Sequence, residues 1–374
     1  MKSSSGDYYL GLDHLRALAV FMVFCWHFVH SHNIIPLDAS APLFAPLTLL
    51  SEGYTGVSLF MVLSGYLFAR LTDGKQLKFG AFMLNRGLRL LPLLSVVMVL
   101  AYVKSLFTGE ALDLSTRLLH GWFAPTLPQG AWSITVEMHF YLLLPALLWM
   151  ASKHLSSLLG VVLVAMMARL VVYWAGGDLD YLAYHTMLGR IDQFVLGLLA
   201  FHLRDRIRGQ HLLWVASAAG FIAFMSFIDH QGSMLGKQPA LSPWWVVMTT
   251  IEGLFYGLTV AWYDTSFRHA AGAVSTFLAW IGRCSYSIYL LHSFVVFKMA
   301  QWVDERLFSL GNVNVSLPVA AICFLLFLPV GYLSYRFIEL PFLRRRVPYL
   351  SKPSLRSAPE VLMGDEAPGE RKVA

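Results

Sequence analysis

The chain has 374 residues, 57% hydrophobic and only 13% charged, with a mean hydropathy of +0.60. A soluble domain carries about 25% charged residues, so the composition excludes an ordinary water-soluble fold and points to lipid as the solvent. The formal net charge of +6 is read as membrane topology, with basic loops on the cytoplasmic side, and not as a nucleic-acid surface.

Ten apolar segments follow in chain order, near 12–32, 53–71, 81–107, 132–152, 155–175, 185–203, 211–229, 244–263, 277–300 and 316–338. Each runs roughly 18–25 residues, enough to cross a bilayer as a helix. The expected fold class is therefore all-α, a polytopic transmembrane helix bundle of about ten helices. With the N-terminus inside, the cytoplasmic loops hold Arg70, Lys75, Lys78, Lys153, Arg204, Arg206, Arg208 and Arg268, and the C-terminal flank adds Arg344, Arg345 and Arg346. The outer stretch 33–51 has no Lys or Arg, and 175–186 carries Asp178 and Asp180 instead. This alternation predicts both termini inside. Residues 1–342 are expected to form one membrane domain. Residues 343–374, rich in Pro, Ser and charge, read as a disordered cytoplasmic tail. A signal peptide cut at Ala39-Ser40-Ala41 is the rival for the first segment, and Asp13 and Arg16 at its start argue against it. Cys25, Cys284 and Cys323 lie in apolar runs without a CxxC partner, so neither a disulfide framework nor a metal site is expected.

Ionisable residues inside the membrane are costly and mark function by default. Arg16 and His27 stand eleven residues apart, which puts them within about 20° of one face and about 16 Å apart along the axis. Arg16 is expected near the cytoplasmic surface and His27 in the outer half. The third segment starts inside, so Arg86 and Arg89 lie low, on one face at i, i+3. The fourth and sixth start outside and the ninth inside, which places Glu137, Arg190, Asp192 and His292 high, with Arg169 beside them. Two layers are predicted: arginines low, a histidine–carboxylate set high. Arg86 and Arg89 also fit as anchors that reach for headgroups. His292, after Tyr286 and Tyr289 at helical spacing, also fits a packing cluster. Asp13 fits a helix cap or a partner for Arg16, the cap being simpler. Glu252, near mid-membrane on the eighth segment, has no reading from sequence.

Guanidinium groups match phosphate oxygens in a two-toothed manner, so the low layer suits a phosphate-bearing donor. A histidine higher up suits a general base. A donor with a phosphorylated head and a long arm, such as coenzyme A, would bridge the layers. His27 would deprotonate an acceptor hydroxyl that attacks the thioester, and Glu137 would orient the imidazole or hold the acceptor. Arg190, Asp192 and His292 are candidate acceptor contacts. Neither a G-x-S-x-G elbow nor a P-loop is present.

At these residues the chain resembles the acyltransferase-3 family of bacterial membrane acyltransferases, which O-acetylate glycans. GLDHLRALAVFMVFCWHF resembles the family's first helix, with Arg16 and His27 in its R-x10-H positions. FMLNRGLRLLPLL is similar to its R-x-x-R-x-x-P element, and WSITVEMHFYLLLP to its W-S-x-x-V-E segment carrying Glu137. GVSLFMVLSGYLFARL, RIDQFVLGLLAF, IGRCSYSIYLLH and YRFIELPF resemble further elements, so the likeness spans residues 11–342. Two departures stand out: Ser58 where the family often has an acid, and Met138-His139 where Glu-Gln often follows the fourth-helix Glu. The resemblance implies acyl-CoA, usually acetyl-CoA, as a co-substrate with no tightly bound cofactor. It implies His27 as base and Arg16, Arg86 and Arg89 serving the donor. The expected acceptor is a glycan or lipid-linked sugar, the setting a bacterial inner membrane, with polysaccharide-synthesis proteins as possible partners and no nucleic acid. Two rivals remain: a transporter of an acyl group or lipid-linked sugar, and a non-catalytic partner of a polysaccharide synthase.

Overall fold

The structure, a computed structural model, describes residues 9–31, 42–108, 111–231, 233 and 239–351. Ten long helices answer the ten apolar segments: α1 (Leu10–Val29), α2 (Gly56–Thr72), α3 (Phe79–Thr108), α4 (Trp132–Lys153), α5 (Ser157–Trp174), α6 (Met187–Ile207), α7 (His211–His230), α8 (Met248–Ser266), α9 (Ala273–Leu291) and α10 (Val313–Ser334). Helices close their own backbone hydrogen bonds, which is what lipid demands of a spanning segment. The protein is an all-α multi-pass membrane bundle.

Seven of the ten, α1 to α5 with α7 and α10, are long and apolar enough to cross a membrane. The other three carry a dense share of the buried polar residues: Arg190, Asp192 and Gln193 in α6, Thr249, Thr250 and Glu252 in α8, Ser285 and Ser287 in α9. They stand at the centre, where α6 packs on α2, α5 and α8, and α9 packs on α1 and α10. Peripheral helices turn apolar side chains outward, as Leu159, Leu163 and Val164 of α5 and Leu212 and Leu213 of α7 do. That pattern is the one lipid contact requires.

Small residues let the central helices approach closely. A Cβ on Gly65 of α2 would fall 1.9 Å from the Phe194 carbonyl oxygen of α6. A Cβ on Gly197 of α6 would fall 2.2 Å from the Val62 carbonyl oxygen of α2. The two glycines therefore let each backbone sit against the other, in the manner of membrane helix pairs.

Two expectations change. The ninth segment was expected to run through 277–300, but α9 stops at Leu291. A 3-10 turn, His292–Phe294, follows, and a separate helix runs from Val296 to Arg306. The turn tightens where the His292 ring bonds the Tyr289 carbonyl three residues back, at 2.6 Å. The expected boundary of the disordered tail also moves. After a π-helical turn at Tyr335–Glu339, the chain stays ordered to residue 351, where strand β2 (Leu350–Ser351) pairs antiparallel with β1 (Gln76–Leu77). Residues 352–374 and the Ala39-Ser40-Ala41 site lie outside the described residues.

Candidate active site

The low layer is a cavity wall. Arg16 of α1, Arg86 and Arg89 of α3, Ser64 of α2, Glu137 and Tyr141 of α4, and Tyr286 and Tyr289 of α9 line one internal cavity. Their meeting follows from α1, α2, α3, α4 and α9 surrounding the same space. Arg16 is held by Asp13, with Nη1 2.7 Å from the carboxylate. Asp13 is thus a partner, not a cap; the α1 N-cap is Tyr9, without a side-chain bond. Arg86 lies among aromatic rings, its guanidinium 5.2 Å from the Phe68 ring centre, 5.5 Å from Phe82 and 5.9 Å from Tyr141. Among the described residues, neither Arg86 nor Arg89 has a carboxylate within 4.0 Å. The buried Nε of Arg86 has no hydrogen-bond partner.

Glu137 shares that cavity. Its Oε1 accepts from Ser64 Oγ at 3.2 Å and from the Tyr141 hydroxyl, one helical turn along α4. It does not bond His27; another residue meets the His27 imidazole.

That residue is His292. Nδ1 of His27 faces the Val23 carbonyl at 2.8 Å and Nε2 of His292 at 3.3 Å. Nδ1 of His292 faces the Tyr289 carbonyl at 2.6 Å. A carbonyl accepts only, so the network assigns the proton of each neutral ring to Nδ1. His292 Nε2 is then the acceptor for the His27 N–H, and His27 Nε2 is left with a free lone pair. The two rings meet edge to face, 4.8 Å between centres. His27 is partly exposed and His292 is buried. Neither histidine lines the cavity. They join it through Tyr289, which does, and whose hydroxyl lies 2.8 Å from Ser133 Oγ.

Arg190 and Asp192 are not in this cavity. Both are fully buried between α2, α6 and α8. Asp192 is spent on Arg169, 2.8 Å away, and accepts also from Thr249, Thr250 and the Gln193 backbone. All five N–H donors of Arg169 are used, on Val246, Gly189, Thr249, Asp192 and Thr250. The expected acceptor contact through Asp192 is therefore corrected to an internal ion pair, since its oxygens are already occupied. Arg190 donates to the Tyr184 carbonyl, Ser58 Oγ and Gln193 Oε1, and its guanidinium sits 4.3 Å from the Tyr184 ring centre. Glu252, without a reading from sequence, completes this group by accepting from Ser58 Oγ at 2.5 Å and Gln193 Nε2 at 2.8 Å. Ser58 thus links Arg190 to a carboxylate from α8.

Sequence reasoning missed Ser64, Tyr141 and Tyr289 as cavity residues. Tyr141 was open to it, four residues from Glu137 on a helix. Ser64 carries no such signal.

A family described as an acyltransferase domain matches residues 9–336. Curated relatives include a peptidoglycan O-acetyltransferase, OatA, of Listeria monocytogenes, 25% identical over 90% of this chain and 56% of its own length. A putative peptidoglycan O-acetyltransferase, YrhL, of Bacillus subtilis is 25% identical over 91% and 56%. A putative O-acetyltransferase of Staphylococcus aureus, SACOL0978, is 24% identical over 92% and 59%. The chain therefore spans a little over half the length of these relatives. No solved structure matches it.

Proposed function

This chain belongs to the acyltransferase-domain family, and from that premise we propose that it is a membrane O-acyltransferase drawing acetyl from cytoplasmic acetyl-CoA. The acceptor is a hydroxyl of a cell-wall glycan or lipid-linked sugar, in keeping with the names of its relatives. The setting is the bacterial cytoplasmic membrane, residues 1–342 form the acyltransferase domain, and the residues beyond 343 lie on the cytoplasmic side.

The observation that carries the reading is the free Nε2 of His27, fixed by the two carbonyl bonds and His292. The nucleotide phosphates of the donor bind Arg16, Arg86 and Arg89. The arm extends past Tyr289, and the thioester reaches His27, about 16 Å above Arg16 by helix rise. His27 Nε2 takes the proton of the acceptor hydroxyl as its oxygen attacks the thioester carbonyl carbon. The tetrahedral intermediate expels the thiolate as the C–S bond breaks, and the imidazolium returns its proton to that sulfur. His292 holds His27 in the tautomer that leaves Nε2 free, a positioning role. Glu137, kept in place by Ser64 and Tyr141, borders the path of the arm.

The test is reconstitution in vesicles with labelled acetyl-CoA and soluble glycan acceptors, wild type against His27→Ala. Labelled ester in the wild type and none above background in the variant is the expected result. Equal ester in both sinks the base assignment. Label crossing the bilayer with no ester formed would point to a transporter.

A further inference from the structure

The chain beyond α10 does not leave the bundle at once. Lys78 donates its backbone N–H to the Tyr349 carbonyl at 2.8 Å, and β1 and β2 pair next to it. Asn85 of α3 grips Val347 twice, its Nδ2 donating to the carbonyl at 2.6 Å and its Oδ1 accepting the backbone N–H at 3.0 Å. Tyr349 is buried, its ring centre 5.7 Å from that of Phe82 and 5.9 Å from the Arg86 guanidinium. These clamps begin at the residue that follows Arg346 and tie its backbone to the start of α3. Arg346 is half-buried within electrostatic reach of Arg86 and Arg89, and burial together with those two like charges pushes its pKa down to about 10.

Bringing three guanidinium groups together opposes folding unless an anion joins them. Among the described residues, Arg86, Arg89 and Arg346 have no carboxylate within 4.0 Å. Arg89 and Arg346 both feel Glu339, whose Oε1 accepts from Ser287 Oγ while its buried Oε2 has no hydrogen-bond partner, so Glu339 is in electrostatic reach of the arginines but bonds none of them. The Nε atoms of Arg86 and Arg346 are both buried without a partner. Arg346 is half-buried with its Nε closed off from solvent and unpartnered, unlike an anchor arginine turned wholly to headgroups. Guanidinium forks suit phosphate oxygens.

We propose that the segment 344–351 is part of the donor site, and that Arg346 joins Arg86 and Arg89 to bind the phosphate groups of the acyl-CoA nucleotide. This rests on the reading of the donor given above. The shared chemistry, a phosphate anion, is also that of an anionic phospholipid headgroup, so the test must separate the two.

The full chain is placed in nanodiscs of phosphatidylcholine, and binding of coenzyme A and of S-acetylpantetheine, which lacks the nucleotide, is titrated. Arg346→Ala is expected to weaken coenzyme A about tenfold or more, Arg346→Lys less, and Asn85→Ala to weaken it by releasing the clamp. S-acetylpantetheine is expected to bind wild type and variants alike. Wild-type affinity for coenzyme A in Arg346→Ala overturns the proposal. Unchanged coenzyme A binding with lost retention of added phosphatidylglycerol overturns it in favour of a headgroup site. A wild type that ignores coenzyme A but retains phosphatidylglycerol through Arg346 sinks the donor reading itself, and the nucleotide assignment with it.

Discussion

Two polar regions lie within the bundle, and they are built to opposite rules. In the group between α2, α6 and α8, the charges are linked by hydrogen bonds: Asp192 pairs directly with Arg169, and Arg190 reaches Glu252 through Ser58 and Gln193. Two atoms of it, Arg190 Nη2 and Glu252 Oε1, are unbonded, but the charges balance. In the cavity bordered by α3 and α4, Arg86 and Arg89 have no such partner. Both regions carry charge into lipid, where charge marks function by default. The difference teaches that the marker needs a second reading. A charge closed on its own partners holds helices together, and a charge left open on a cavity waits for a ligand.

The largest effect expected falls on the open side. If His27 is the base proposed above, His27→Ala should cut turnover about 10²–10⁴-fold, the usual worth of a positioned base, while detergent-solubilised protein unfolds at the wild-type temperature. A variant that loses activity only because it melts would place His27 with the closed group and break the comparison. On the closed side the order reverses. Asp192→Ala strands Arg169 in the interior and should destabilise the fold by about 3–5 kcal/mol, read as a lower unfolding midpoint or lost expression. Wild-type stability in Asp192→Ala would mean that the pair is not structural.

Arg89→Ala gives a smaller, sharper contrast. Arg89 has no carboxylate within 4.0 Å, only Glu339 in its wider field, so its loss should lower the unfolding midpoint less than Asp192→Ala does. The KM for acetyl-CoA should rise about tenfold to a hundredfold, for the loss of a charge-assisted phosphate contact. A change in kcat with KM untouched would argue that Arg89 acts on the chemistry and not on the donor.

Much of this arrangement is legible in the sequence. Helix direction and rise alone place Arg16, Arg86 and Arg89 at one depth, and they do share a cavity wall. His27 and His292 are predicted in one layer and are in contact. Lateral order is what hydropathy does not carry. It cannot say that α9 rather than α4 stands against α1 at His27, so Glu137 looks as fit to orient the base as His292. For the same reason Glu252 has no reading until α8 is seen beside α2. The docking of residues 344–351 is hidden differently. Two-residue strands and one asparagine side chain leave no period to detect, and the composition of that stretch reads as a tail.

The smallest effect tests where the comparison ends. Glu52, just before α2 at the expected outer face, is buried with one oxygen bonded to Ser233 Oγ at 2.7 Å and the other unbonded. No cation offsets it. Burial drives its carboxyl pKa well above the ordinary range, and nearby Asp229 pushes the same way. A carboxyl whose folded pKa is raised binds its proton more tightly folded than unfolded. Its contribution is fully present below the ordinary carboxyl pKa and is lost as pH rises through the folded value. The unfolding midpoint should therefore fall as pH rises above the ordinary carboxyl range, and Glu52→Gln, neutral throughout, should flatten part of that slope. An equal slope in the variant would show that Glu52 stays charged. It would then belong with the open arginines, as a group held for a ligand, and not with those that neutralise themselves by keeping a proton.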